Sequence, residues 1–378
     1  MGYTLFIIRI VMNKIEFNKK TIVSLFVIAF CLYIFGGIVY LISNSYIKNG
    51  SLNIKNNYHL CLKRLDTPSI NIIGGIQYVL GQRVFKTPFR TVVRLNNDHF
   101  AFVLKPVDYS YPQNQIVKLD KWLKTRNCRF VFLMAPHQIC KFDAQLPRGI
   151  YDYCNQTGDK FLEELEKNNV VYLDSRELFR NSPELHYRYF IRNDSHWKNY
   201  YAFKFFLIVA KYMREECKFE FPDEILDENM YSNDIEQLTF GDMNLFVGSF
   251  FHENDFNITP IPKYSTDIDW TINNQSGSGV FDYKKLNNLF CCQTHNRNIS
   301  GKKVLLLSDS YGLAFRPYVS LICRDYQHIS LNQFELQKES LPPFQELVEQ
   351  FQPDVVLFMG TPRDFPKIYY DYINVSVQ

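Results

Sequence analysis

The chain has 378 residues, with 42 Lys and Arg against 39 Asp and Glu and a formal net charge of +3. That length allows one large core or two modest ones, and the near-balance of charge, with no long basic run, argues against a nucleic-acid partner. No internal repeat or heptad stretch is present, and 33 Phe and 25 Tyr point to a heavily packed aromatic core.

First in chain order comes 21–42, TIVSLFVIAFCLYIFGGIVYLI, which carries no charge. A helix needs roughly 20 apolar residues to cross a bilayer. The apolar region of a cleaved signal peptide runs to about 7–15 and ends in a small-residue site, which Ser43-Asn44-Ser45-Tyr46 does not supply. The stretch reads as a retained transmembrane anchor. Arg9, Lys14, Lys19 and Lys20 precede it with only Glu16 opposing, so residues 1–20 form a cytoplasmic tail and the rest lies beyond the membrane. Residues 43–75 suit a stalk, and 76–378 form one extracytoplasmic domain.

Within that domain, Ile116, Leu119, Trp122 and Leu123 give 114–125 a helical spacing. The apolar run 129–135, closed by Pro136, predicts a strand buried on both faces. A helix is expected over 161–167, a strand over 170–173 and a long apolar-rich helix over 197–213. The polar stretch from 215 to about 301 reads as irregular. Strands follow at 303–307, 327–331 and 354–359, with a helix at 343–350. Alternating short apolar strands and helices predict an α/β layered domain with a mainly parallel sheet, whose reactive residues gather at the carboxyl ends of strands.

Of the nine cysteines, Cys31 lies in the anchor and eight lie in the exported part, where disulfides are permitted but not required. Their spacings match no zinc pattern and no HExxH occurs; Cys291-Cys292-x-x-His295 is a weak hint, since adjacent thiols rarely both face one ion. No metal and no cofactor is expected.

Two segments carry chemistry. Ser310 follows the apolar run Val304 to Leu307, on a turn that exposes its hydroxyl; Ser, Asp and Gly are also ordinary turn residues. Asp194 and His196 stand two apart just ahead of a helix, where Asp194 or Ser195 could equally serve as its cap. Taken together they supply a nucleophile (Ser310), a base (His196) and a carboxylate that orients the base (Asp194), the parts needed for attack of a hydroxyl on an acyl carbon. Trp197 reads as a packing residue that fixes the loop.

The segment Tyr189 to Trp197, containing Asp194-Ser195-His196-Trp197, resembles the Asp-x-His-Trp signature of the AlgX/AlgJ group of SGNH-hydrolase-like proteins. Leu307-Ser308-Asp309-Ser310 resembles the group's Gly-Asp-Ser block, and the Asp-x-His pair precedes the serine as it does in that group. Asn97 to Phe102, Ala135 to Gln138 and Gly241-Asp242-Met243 are weaker likenesses, and the resemblance spans about Leu95 to Phe365. Departures are Ser308 in place of Gly, Tyr201 where a Gly often follows, and His137-Gln138 in place of Pro-x-Lys. The resemblance implies a three-layer α/β/α SGNH-like domain with circularly permuted motif order. It also implies an O-acetyltransferase acting on an exported or cell-surface polysaccharide through an acetyl-serine, supplied by a multipass membrane acyltransferase and working at the periplasmic side of the inner membrane. An esterase or deacetylase with the same triad, and a non-catalytic scaffold of a polysaccharide assembly complex, are the alternatives. Arg363, just past the final strand, reads as a buried structural arginine or as a second oxyanion donor.

Overall fold

A computed structural model describes residues 91–362 apart from 97, 182, 239–240, 244–254, 273–274, 288–290 and 334–340, together with 24, 28, 74, 75, 77, 78, 80–86 and 367–375. The chain divides into two units, 1–70 and 71–378. Among the described residues no helix is long and apolar enough to cross a membrane. The anchor expected at 21–42 lies outside them except for Ser24 and Ile28, both helical and exposed. The expected stalk at 43–75 is likewise outside, except for Gly74 and Gly75.

The second unit opens with a small antiparallel sheet of β1 (Val84–Lys86), β2 (Thr91–Arg94) and β3 (Phe100–Val103), followed by α1 (Ser110–Lys124). Next come β4 (Arg129–Met134), α2 (Cys154–Lys167), β5 (Tyr172–Asp174) and α3 (Asn199–Glu215). The hairpin of β6 (Tyr231–Leu238) and β7 (Asp255–Pro262) precedes β8 (Asp267–Ile272), β9 (Gln275–Val280), the short α4 (Tyr283–Asn287) and β10 (Cys291–Asn296). The chain finishes with β11 (Lys303–Ser308), α5 (Gly312–Val319), β12 (Asp325–Ser330), α6 (Phe344–Phe351), β13 (Val355–Gly360) and α7 (Lys367–Tyr372).

The main sheet has eight strands in the order β5-β4-β13-β11-β12-β10-β8-β9. Its first five strands are parallel, whereas β10, β8 and β9 extend it antiparallel from β12. The sheet is therefore mixed, not mainly parallel throughout. The stretch 215–301, expected to be irregular, supplies this extension and the β6–β7 hairpin. Parallel strands are covered on both faces and so must be apolar without interruption; β6 (YSNDIEQL) and β9 (QSGSGV) are largely exposed and carry no such pattern.

Strand alternation sorts the core into two layers. Val131, Leu133, Val304, Leu306, Leu357 and Met359 pack against α3 and α5. Phe130, Phe132, Met134, Leu305, Leu307 and Phe358 turn the other way, against α1, α2 and α6. Four of the six strands nearest the centre thus end together at one rim, where Pro136, Ser310, Leu331 and Thr361 leave β4, β11, β12 and β13. The small sheet closes over this rim: Phe100 and Phe102 bury Met243, and Val93 and Ala101 bury Ile139.

Candidate active site

Ser310 lies one residue past Asp309 on the turn between β11 and α5. Asp309 pins that turn: one carboxylate oxygen accepts from its own Tyr311 N–H at 2.9 Å and the other from Thr361 N–H, just past β13, at 2.9 Å. Gly312, the first residue of α5, sits directly on Ser308, leaving no room there for a Cβ. Ser308, which replaces the expected Gly, is wholly buried and accepts a 2.8 Å hydrogen bond from His328 Nε2. Arg316 donates to His328 Nδ1 at 3.2 Å, which sets the tautomer. Burial and then the Arg316 charge hold the His328 imidazole well below its usual pKa, so it stays neutral.

Asp194 and His196 occupy a tight hairpin loop, not a helix start. Phe190 and Trp197 bridge antiparallel, Ile191 N–H reaches His196 O at 3.2 Å, and Lys198 N–H reaches Tyr189 O at 2.7 Å. The cap position of α3 is Lys198, which makes no side-chain cap, so neither Asp194 nor Ser195 caps that helix. β7 clasps the loop's exit through alternate residues on one face. Asp255 pairs with Lys198 at 2.6 Å, Asn257 accepts from Asn199 N–H at 2.9 Å, and Thr259 accepts from the Asn199 amide at 2.8 Å.

These two loops meet. His196 Nε2 is 2.9 Å from Ser310 Oγ, and His196 Nδ1 donates to Asp194 Oδ1 at 2.6 Å. Since Nδ1 carries the hydrogen, Nε2 has a lone pair for the Ser310 hydroxyl. Burial alone would raise the Asp194 carboxyl, but the His196 hydrogen bond and charge, with the backbone N–H groups of Asp242 and His196, outweigh it and hold it below its ordinary value. His196 retains 33% side-chain exposure and Asp194 17%, so the outer face of the pair is open to a reactant.

Two further ties set the spacing. Trp197, 2% exposed, donates from Nε1 to Tyr311 O at 3.0 Å, and the Tyr311 hydroxyl donates back to Ser195 O. Trp197 thus fixes the loop, as a packing residue should. Gln138 donates to Asp194 O at 2.5 Å, which gives the expected Ala135–Gln138 segment a backbone-holding role. Arg363, the candidate second oxyanion donor, lies outside the described residues.

Asp242 is a site residue that sequence reasoning noticed only as part of a weak likeness. Its N–H donates to Asp194 Oδ2 at 3.0 Å, while its carboxylate accepts from Ser195 N–H at 2.8 Å and from the Ser195 hydroxyl at 2.5 Å. Gly241 makes this possible by lying against the Asn193 backbone, where a Cβ would collide. Burial, then the Asp194 charge, raises the Asp242 carboxyl. On β10, Cys292 and His295 fall on opposite faces, and His295 bonds Asp325 at 2.7 Å.

A family model described as an SGNH hydrolase-like domain, acetyltransferase AlgX, matches residues 109–290, a span that takes in Asp194, His196 and Asp242. Over this span the chain is AlgX-like. Bacillus cereus PatB1 has a similar fold, with a TM-score of 0.57 at 15% identity over 72% of this chain and 96% of that one. The same protein with a sulfonyl adduct gives 0.58 at 14% identity, over 73% and 96%. A DHHW family protein from Eubacterium siraeum gives 0.57 at 14% identity, over 78% and 98%. These likenesses show a shared α/β fold, and the family model describes the 109–290 part of the chain as SGNH hydrolase-like. No curated protein matches it by sequence.

Proposed function

We propose that this AlgX/AlgJ-like protein is an O-acetyltransferase that moves an acetyl group to a hydroxyl of an exported or cell-surface polysaccharide by way of Ser310. The observation that carries the reading is the continuous hydrogen-bonded line Asp194–His196–Ser310, with the lone pair of Nε2 toward the hydroxyl. In the first half-reaction His196 takes the Ser310 proton as Oγ attacks the acetyl carbonyl, then returns it to the leaving group. In the second, His196 takes a proton from the sugar hydroxyl, which attacks the acetyl-serine, and Ser310 leaves with that proton. Asp194 stabilises the imidazolium formed in each half.

The uncharged run 21–42 and its basic flank favour a single-pass anchor in the inner membrane, with the domain facing the periplasm. Acetyl-CoA is cytoplasmic, so the reading calls for a multipass membrane acyltransferase as donor partner. The exposure of His196 favours a second reading, since a water that reaches the base turns the same triad into an esterase.

The test incubates the full chain with an activated acetyl ester and a panel of oligosaccharides. Acetylated sugar is expected, and Ser310→Ala should remove it, because loss of a triad member leaves only about 10³–10⁴-fold catalysis over water. Acetate without acetylated sugar would make the protein an esterase. The sulfonyl adduct on the similarly folded PatB1 suggests a direct probe. A sulfonyl fluoride should modify Ser310, and an inert Ser310 together with no turnover would favour the scaffold reading.

A further inference from the structure

His137 takes no part in the proposed acyl transfer. It follows β4 at the rim of the sheet and is 1% exposed. Asp152 and Cys154, on the turn into α2, come to the same place. One ligating atom from each of the three lies within 4.8 Å of the other two.

We propose that His137, Asp152 and Cys154 form a site for one divalent cation of the zinc class. The donor set is an imidazole, a carboxylate and a thiolate. The sulfur and nitrogen donors disfavour calcium and magnesium, which take oxygen ligands, and suit a borderline ion such as Zn²⁺. Three protein donors leave the fourth tetrahedral position for water, and the half-buried Asp152 gives that position a route to solvent.

The surroundings are those a ligand set requires. His137 donates from Nε2 to Phe102 O at 2.9 Å, so Nδ1 carries the lone pair and the ring orientation is fixed from behind. Asp152 Oδ1 accepts from Leu104 N–H at 2.8 Å and Oδ2 from Cys154 N–H at 3.0 Å. Each carboxylate oxygen keeps a second lone pair for a metal. Cys154 is the first residue of α2, two residues past Asp152, whose carboxylate accepts from its N–H.

No spacing rule could have found this set, because a long loop separates His137 from the Asp-x-Cys pair. It also stands apart from the acyl-transfer line, although the two are joined. His137 O accepts from His186 at 3.0 Å, and its neighbour Gln138 holds the Asp194 carbonyl. An ion bridging β4 to α2 would therefore stiffen the segment that supports Asp194.

The experiment titrates the purified, chelator-treated full chain with Co²⁺. One equivalent should bind, with a near-ultraviolet thiolate-to-cobalt charge-transfer band and visible d–d bands of a tetrahedral site, and Zn²⁺ should displace it and raise the melting midpoint. Cys154→Ser should remove the charge-transfer band, and Asp152→Asn should weaken binding by at least about tenfold. His196→Ala should leave both unchanged, which separates this site from the neighbouring Asp194, His196 and Asp242 group. Wild-type protein that shows no charge-transfer band at saturating cobalt would overturn the proposal, whatever the variants do. So would a band that survives Cys154→Ser in folded protein.

Discussion

Ser308 and Gly312 are interlocked, and a double-mutant cycle should expose the interlock. Ser308→Gly removes the oxygen that accepts from His328 Nε2. His328 is wholly buried, so its N–H would lose its acceptor away from water, costing about 1–3 kcal/mol. The added backbone freedom of glycine costs a further ~0.5–1 kcal/mol. Gly312→Ala forces a methyl group into the Ser308 side chain, which Arg316 and His328 hold in place. Overpacking of this kind costs about 1–3 kcal/mol, less up to about 1 kcal/mol from the better helix propensity of alanine.

In the double variant the new methyl group enters the space that the Ser308 side chain has vacated, and the overpacking cost disappears. The double variant should therefore be no less stable than Ser308→Gly alone, an interaction of about 1–3 kcal/mol in the stabilising direction. That lies outside the ~0.5 kcal/mol within which independent sites add. Denaturation midpoints and slopes of the four proteins measure it. Additive losses would mean that Ser308 moves freely when Gly312 changes, and the account of the nucleophile turn would fail.

Asp194→Asn should cut turnover by about 10⁴-fold, by presenting the wrong His196 tautomer to Ser310. Asp242→Asn should cost less than about 10²-fold, because the Asp242 N–H that holds Asp194 Oδ2 remains; comparable losses would make Asp242 part of the proton relay. The two buried neutral histidines should each lower stability as pH drops from 6.5 toward 4, by at most about 1.4 kcal/mol per pH unit. His328 and His186, the latter pushed down to about 3 by burial, stay neutral in the folded protein while the unfolded chain takes up their protons. Asp120, Asp152 and Asp242 are raised by burial and act with the opposite sign, so the histidine contribution is read as the difference in pH slope between the wild type and His186→Gln, and a variant with the wild-type slope contradicts the assignment.

The parallel half of the sheet was legible because burial on both faces leaves β4, β11 and β13 no choice but continuous apolar runs. The start of α2 was not. Its first turns read CNQTGDK, and the helical pattern becomes visible only from Phe161 onward. The antiparallel extension was invisible for a related reason. β9 is nearly all exposed, and its pairing rests on backbone hydrogen bonds to β8, which any side chain permits.

In the site, the residues legible from sequence were those with a chemical role, and the illegible ones act through their backbones. Asp194, His196 and Ser310 were named from type and spacing, yet nothing local says that the hydroxyl and imidazole lie 2.9 Å apart across 114 positions. That distance is set by cross-ties of ordinary residues: Trp197 to Tyr311, Tyr311 back to Ser195, Asp309 to Thr361, Gln138 to Asp194. Each joins a side chain to a main-chain group, so the partner's identity leaves no mark in the sequence. The same holds for Gly241, whose missing side chain lets Asp242 reach the loop. A site built this way tolerates drift in the partners while demanding the tie donors. A loop with the right two reactive residues but no Trp197 would lose its tie to Tyr311 and with it the fixed distance to Ser310.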